Sequence, residues 1–133
     1  MPILRGRVIL HHTADTVVVQ DQVPPHRLTT EELNGLFFSD QDEKAIYFAA
    51  AQIYAQGDQS YFAQLIEIYG FDDGSSIATK AEVTSAPQAE FYEAELTVIG
   101  GTSRFAGISG LGQLKGWSNG YNARHDIEIT YSK

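Results

Sequence analysis

One stretch constrains the fold more than any other: Val98-Ile99-Gly100-Gly101-Thr102-Ser103-Arg104-Phe105-Ala106-Gly107-Ile108-Ser109-Gly110-Leu111-Gly112-Gln113-Leu114-Lys115-Gly116, which holds six of the chain's twelve glycines. Gly100-Gly101 can take positive φ where a strand ends and the backbone reverses. Phe105 then reads as an apolar plug closing one end of a core. From Ile108 to Gly116 every second residue is Ile, Gly, Gly, Leu or Gly, so one face of that strand has few side chains. Glycine inside a strand marks a tight bend or the close approach of another group. Several on one face suit a sheet that coils sharply, as a barrel must, and predict room inside it.

The chain of 133 residues predicts a single domain, residues 1–133, able to bury a core without staples. With no cysteine there is no disulfide framework and no thiol chemistry, which fits a reduced, cytoplasmic setting. A net charge of −8 argues against nucleic acid and against an anionic membrane surface as partners. Arg5 and Arg7 interrupt the early apolar residues, so no secretory leader is expected. The most apolar run, Ala45 to Ala55, is too short to span a bilayer and contains Gln52.

Taken in order, Ile3 to His12 reads as a first strand and Asp15 to Gln20 as a second. Pro24-Pro25 should stop pairing, since proline lacks the ladder donor. The pattern then fails from about Gln22 to Glu43, which predicts one long loop. Within it, Thr29-Thr30-Glu31-Glu32 matches a capping box, and a short helix ending at Gly35 is expected. Leu36, Phe37 and Phe38 would fold down as a lid, line a partner interface, or pack on the barrel's outside. Strands follow at Ala45–Tyr54, Tyr61–Tyr69, Ser75–Ser85, Gln88–Ile99, the glycine-rich run to Trp117, and Tyr121–Tyr131. Turns are expected at Gln56-Gly57-Asp58, Asp72-Asp73-Gly74 and Asn119-Gly120, with a break at Pro87. Such runs mean an all-β sandwich or barrel.

A two-residue turn at Asn119-Gly120 would pair Gly116 with Ala123, Leu114 with His125, Gly112 with Ile127, Gly110 with Ile129 and Ile108 with Tyr131. Tyr121, His125, Ile127, Ile129 and Tyr131 would then point inward, opposite a charged outer face. The Asp72-Asp73-Gly74 hairpin admits two registers, with Glu67 opposite Lys80 or, through a Gly74 bulge, opposite Thr79. Of the two faces of Tyr61–Tyr69, the more apolar one (Phe62, Gln64, Ile66, Ile68) is expected inside. The other, with Ala63, Leu65, Glu67 and Tyr69, would lie outside, where a partner subunit could cover it.

The segment Val98 to Gly110 resembles the Gly-Gly-(Thr/Ser)-x-x-Phe-x-x-(Ala)-x-Gly segment shared by allene oxide cyclases and dirigent proteins. Gly112-Gln113-Leu114-Lys115 extends the match toward the cyclases, and the layout from Tyr61 to Ile99 is similar, so about half the chain is covered. The resemblance, to a bacterial-type member of that superfamily, implies an eight-stranded antiparallel barrel, calycin-like, here with one long loop carrying a short helix. It also implies assembly as trimers or dimers and an apolar central cavity that shapes a substrate for cyclisation or radical coupling. The catalytic Glu and Asn of the plant cyclases have no counterpart between Arg5 and Asp21, so no catalytic residue is carried over. Plant dirigent proteins are secreted, which this chain is not expected to be.

The chemistry is therefore argued from side chains. His125, on the inward face, titrates ordinarily near about 6.5 and suits acid–base work; the competing reading is a hydrogen-bonded wall histidine. Glu67 beside Lys80 would be a buried acid and its tuner, or else a surface pair. Tyr131 completes the candidate catalytic set as a proton shuttle or hydrogen-bond donor. Tyr47, Phe37, Phe38, Phe105, Tyr121 and Ile127 are the candidate substrate-binding residues. His11-His12 is no metal pair, since strand neighbours face opposite ways, and neither a metal nor another cofactor is expected. The expected function is a cofactor-free cyclase or isomerase of natural-product type, acting on a hydrophobic small molecule and working as a homo-oligomer. The alternative is a non-catalytic binding or scaffold barrel. A fatty-acid epoxide, a polyketide and a phenolic radical all remain open as substrates.

Overall fold

The computed structural model describes residues 2–22, 25–56, 61–85, 91–118 and 122–133. These form a closed antiparallel barrel in which each strand pairs with the next: β1 (Ile3–Gln22), β2 (Pro25–Ser39), β3 (Lys44–Gln56), β4 (Tyr61–Phe71), β5 (Ser76–Ser85), β6 (Phe91–Thr102), β7 (Ser109–Ser118) and β8 (Asn122–Ser132). β8 returns to β1, from Ile3 opposite Thr130 to His11 opposite Asn122, so no sheet edge is left open there. The eight-stranded barrel expected from the sequence is thus observed. Two of its strands, however, are not the ones foreseen.

The expected long loop with its short helix is strand β2. Its inward series Leu33, Gly35, Phe37 alternates with an outward Glu32, Asn34, Leu36, Phe38, and it is hydrogen-bonded along both sides, to β1 and β3. A single capped turn offers only a few backbone bonds, whereas two ladders satisfy the whole segment and bury Leu33 and Phe37, so the local helix preference loses. Pro25 opens the strand, where a missing donor costs least. The two strands read at Ile3–His12 and Asp15–Gln20 are one strand. Register shifts between His12 and Ala14 and between Val17 and Val19 break its alternation.

β4 faces the opposite way from the expectation. Ala63, Leu65, Glu67 and Tyr69 are buried inside, while Phe62, Ile66 and Ile68 are exposed outside. The β4–β5 hairpin takes its Gly74-bulge register: Glu67 faces Thr79, Gly74 has φ +86°, and Lys80 lies outside opposite Ile66. Glu67 and Lys80 therefore stand on opposite faces and form no pair.

The β7–β8 hairpin is shifted by two residues from the expected register. His125 faces Gly116, Ile127 faces Leu114, Ile129 faces Gly112 and Tyr131 faces Gly110. An even shift keeps every side chain on its face, so His125, Ile127 and Ile129 are buried inside as expected. The glycines leave no free volume beside the partner strand. A Cβ at Gly110 would lie 2.3 Å from Thr130 O, and one at Gly112 2.3 Å from Glu128 O. They let β8 close tightly, which is the coiling a barrel needs. The Gln56-Gly57-Asp58 turn, the Pro87 break, the Asn119-Gly120 turn and Tyr121 lie wholly or partly outside the described residues.

One end of the barrel is plugged. A short 3₁₀ turn, Ser103–Phe105, turns Phe105 inward against Phe71 and Tyr131, with ring centroids 5.3 and 6.1 Å away. The Arg104 guanidinium covers the plug 4.5 Å from the Phe105 ring centre and is held by Glu43 and, at 3.0 Å, by Asp73.

A candidate acid–base site inside the barrel

The side chains that converge in the barrel come from five strands, each placed by simple alternation. Tyr47 lies on β3, Glu67 and Tyr69 on β4, Thr79 on β5, Tyr92 on β6 and His125 on β8. Tyr47, Glu67, Tyr69, Thr79 and His125 are fully buried. The Tyr47 hydroxyl donates to Glu67 Oε2 at 2.5 Å, and the Thr79 hydroxyl donates to Glu67 Oε1 at 3.1 Å. Tyr92 Oη and His125 Nε2 share a hydrogen bond of 2.7 Å. The Tyr47 ring joins the two halves, edge-on to Tyr69 at 5.3 Å and to His125 at 6.3 Å between centroids.

Burial sets the electrostatics. It pushes the Glu67 carboxyl up to about 7, with the Tyr47 and Thr79 hydrogen bonds pulling the other way. It pulls the His125 imidazole down to about 4, against the opposing field of Asp126. Tyr47, Tyr69 and Tyr92 are all raised by the same desolvation and remain phenols. Near neutral pH the cluster therefore holds a poised carboxyl and an uncharged imidazole, a pairing that can give one proton and take another. Among the described residues two polar atoms in it have no hydrogen-bond partner, His125 Nδ1 and Tyr69 Oη, although Thr79 is close enough to the Tyr69 phenol to oppose its upward shift. A second pair stands on the inner face, where His12 Nδ1 is 3.0 Å from Glu31 Oε2.

The structure brings together three of the sequence candidates, His125, Glu67 and Tyr47. Ile127 lines the same interior, and Phe37 packs edge-on to Tyr69 at 5.4 Å. Tyr131 is half-buried beside Phe105 in the plug, away from Glu67 and His125's hydrogen-bonded partners. Phe37 and Phe38 are no lid: they occupy opposite faces of β2, and Phe38 lies outside with Lys44 5.9 Å above its ring. The sequence alone does not single out Thr79, Tyr69 or Tyr92 as site residues. Thr79 was visible in one hairpin register, Tyr69 shares parity with Glu67, and Tyr92 heads the inward series Ala94, Leu96, Val98. Among the described residues no cluster of three or more His, Asp or Glu side chains could hold a metal ion. No described helix is long and apolar enough to cross a membrane.

No protein-family model and no curated protein matches the chain. Solved structures do, two dirigent proteins among them. The pterocarpan synthase dirigent protein GePTS1 superposes with a TM-score of 0.58 at 15% identity, over 99% of this chain and 89% of that one. The pterocarpan synthase dirigent protein PsPTS1 does so with a TM-score of 0.56 at 15% identity, over 99% of this chain and 97% of that one. Both are dirigent proteins, so the comparisons carry the dirigent side of the sequence resemblance and not its cyclase or bacterial side. In fold, the chain is a dirigent-like eight-stranded barrel.

Proposed function

We propose that this barrel holds a hydrophobic small molecule over the Tyr47–Glu67–His125 cluster and catalyses its cyclisation or isomerisation by proton transfer, without a cofactor. The observation that carries the reading is Glu67, fully buried, hydrogen-bonded by Tyr47 and Thr79, and poised near 7. In its neutral form Glu67 gives its proton to a substrate oxygen as a bond to carbon rearranges. The carboxylate so formed is stabilised by the two hydroxyls that already point at it. His125 or the carboxylate then accepts the proton that the rearranged skeleton releases, and the protein proton returns to Glu67. No electron leaves the system and no atom is lost, so no oxidant is called for. Orientation within apolar walls supplies the rest of the rate. The neighbours' designation as synthases agrees with a barrel of this kind shaping a reacting molecule. The setting would be cytoplasmic, and the barrel would work as a dimer or trimer, joined through the exposed apolar stripe of β3 and β4.

The reaction leaves substrate mass unchanged, which defines the assay. A small-molecule extract of the source organism is incubated with the protein and resolved by liquid chromatography and mass spectrometry. One compound should give way to an isobaric one of different retention, at a rate that bends near pH 7. Glu67→Gln should slow the conversion by roughly 10²- to 10⁴-fold. Equal conversion by wild type and Glu67→Gln sinks the reading and leaves a binding barrel.

A further inference from the structure

Around the cluster the inner face carries no cation: the one Lys or Arg on an inward register position, Arg27 of β2, is exposed at the far end of the strand opposite Ala55. All nine Lys and Arg side chains are in described positions: Arg5, Arg7, Arg27, Lys44, Lys80, Arg104, Lys115 and Lys133 are exposed, and Arg124 sits on the outer face of β8 against Trp117. The other described inward groups that ionise are two carboxyls, Glu31 and Glu67, two histidines, His12 and His125, and tyrosines that stay neutral. Glu31 is already opposite His12, and its field reaches Tyr92. A ligand carboxylate or phosphate brought in here would meet no guanidinium or ammonium and would be buried beside a carboxyl. Burying such a charge without a partner is strongly unfavourable.

The same interior asks for neutral oxygen. Among the described residues Tyr69 Oη and His125 Nδ1 are buried without a hydrogen-bond partner, and both rings pack against that of Tyr47. A buried polar group left unpaired is costly, so a ligand that pairs it gains accordingly. Tyr69 can donate or accept. His125 Nε2 is engaged by Tyr92, and whichever ring nitrogen holds the proton, Nδ1 is left to donate or accept. Around them Phe37, Leu96, Leu114, Ile127 and Ile129 are hydrocarbon.

Resting on the site assigned above, we infer that the barrel selects uncharged ligands bearing at least two oxygen functions, hydroxyl or carbonyl, which Tyr69 and His125 grip beside Tyr47, and that it rejects carboxylates. Of the substrate classes left open by the sequence, this disfavours the free fatty-acid type and keeps neutral polyketide and phenolic skeletons.

The test is a matched series titrated calorimetrically into the full-length protein at pH 7.5: 3-phenylpropan-1-ol, 4-hydroxy-4-phenylbutan-2-one and 3-phenylpropanoate. The hydroxyketone should bind most tightly and the carboxylate at least tenfold more weakly than the alcohol, the gap narrowing at pH 4.5 as the acid is neutralised. Tyr69→Phe, which keeps the ring and its packing, should lower hydroxyketone affinity about tenfold and leave the alcohol within a factor of a few. Carboxylate binding as tight as that of the alcohol overturns this inference alone, because Glu67-dependent isomerisation in extract would still stand. Hydroxyketone binding unchanged in both Tyr69→Phe and His125→Gln overturns the two-point grip. If none of the three probes binds, the interior is a packed core, and both this inference and the reading beneath it fall.

Discussion

Glu67 and His125 are displaced by the same cause in opposite directions, and the stability of the protein should record it. The carboxyl moves from about 4.5 to about 7, so between those values the folded state binds more protons than the unfolded one and stability falls as pH rises. The imidazole moves from 6.5 to about 4, so over that window the folded state binds fewer protons and stability rises with pH. Each effect amounts to about 2 kcal/mol between pH 4.5 and 6.5, and in the wild type they nearly cancel. Glu67→Gln keeps the acceptor for Tyr47 but removes one arm, so relative to wild type it should gain about 2 kcal/mol across that interval. His125→Gln should lose a similar amount. Urea denaturation at the two pH values measures both, and parallel behaviour of the three proteins would mean that neither group is shifted. His125 was legible from sequence because the last strand alternates cleanly. The placement of Glu67 was not, since Phe62, Ile66 and Ile68 are the more apolar face. What decides the matter is that Tyr47 and Thr79 can satisfy a buried carboxyl, and those partners become visible only once register is known.

At the level of strands, glycine works by excluding a side chain from a backbone contact. Gly35 shows this best: a Cβ there would lie 2.1 Å from Ile9 O and 2.7 Å from Leu10 Cα, where β2 crosses close over β1. Gly112 is similar against β8, whereas at Gly100, on the outer curve of β6, a Cβ would meet nothing within 4 Å. Gly35→Ala and Gly112→Ala should therefore each cost about 3 kcal/mol, by strain in neighbouring strands. Gly100→Ala should be neutral or slightly stabilising through the unfolded chain. Thermal denaturation of the three variants separates these outcomes, and an equal loss at Gly100 would contradict the close-approach account. The same comparison explains what the sequence could and could not tell. Glycine density correctly announced a coiled, closed sheet, and Phe105 correctly announced its plug. The strand Pro25–Ser39 stayed hidden because Thr29 to Glu32 carries a local helix preference, and because the bulges after His12 and Val17 disturb the partner strand that would have revealed it. Local pattern reports local preference, and here two flanking ladders override it.

For the molecule as a whole, the reversal of β4 moves an apolar surface to the outside. Phe48 and Ile68 face each other across β3 and β4, with Ile46, 67% exposed, and Ile66 beside them and Leu36 continuing onto β2. This stripe is the surface through which the proposed self-association would run. The charge of the chain argues for what covers it. At a net −8, two copies repel over most of their surfaces, and this uncharged band, bordered by Lys44 and Lys80, is where they can approach. A self-association through β3 and β4 would also leave the interior and its plugged end untouched, so assembly and ligand binding would be separable. Sedimentation velocity at micromolar concentration should give a dimer or trimer for wild type and a monomer for Ile68→Glu. Ile68→Lys is the discriminating variant. If charge repulsion alone governed association, lowering the net negative charge would strengthen the oligomer; if the apolar band is the contact, lysine should dissociate it just as glutamate does. Both variants should retain the affinity of wild type for 3-phenylpropan-1-ol, since residue 68 points away from the interior. A wild-type monomer, or an oligomer indifferent to both substitutions, would place the contact elsewhere.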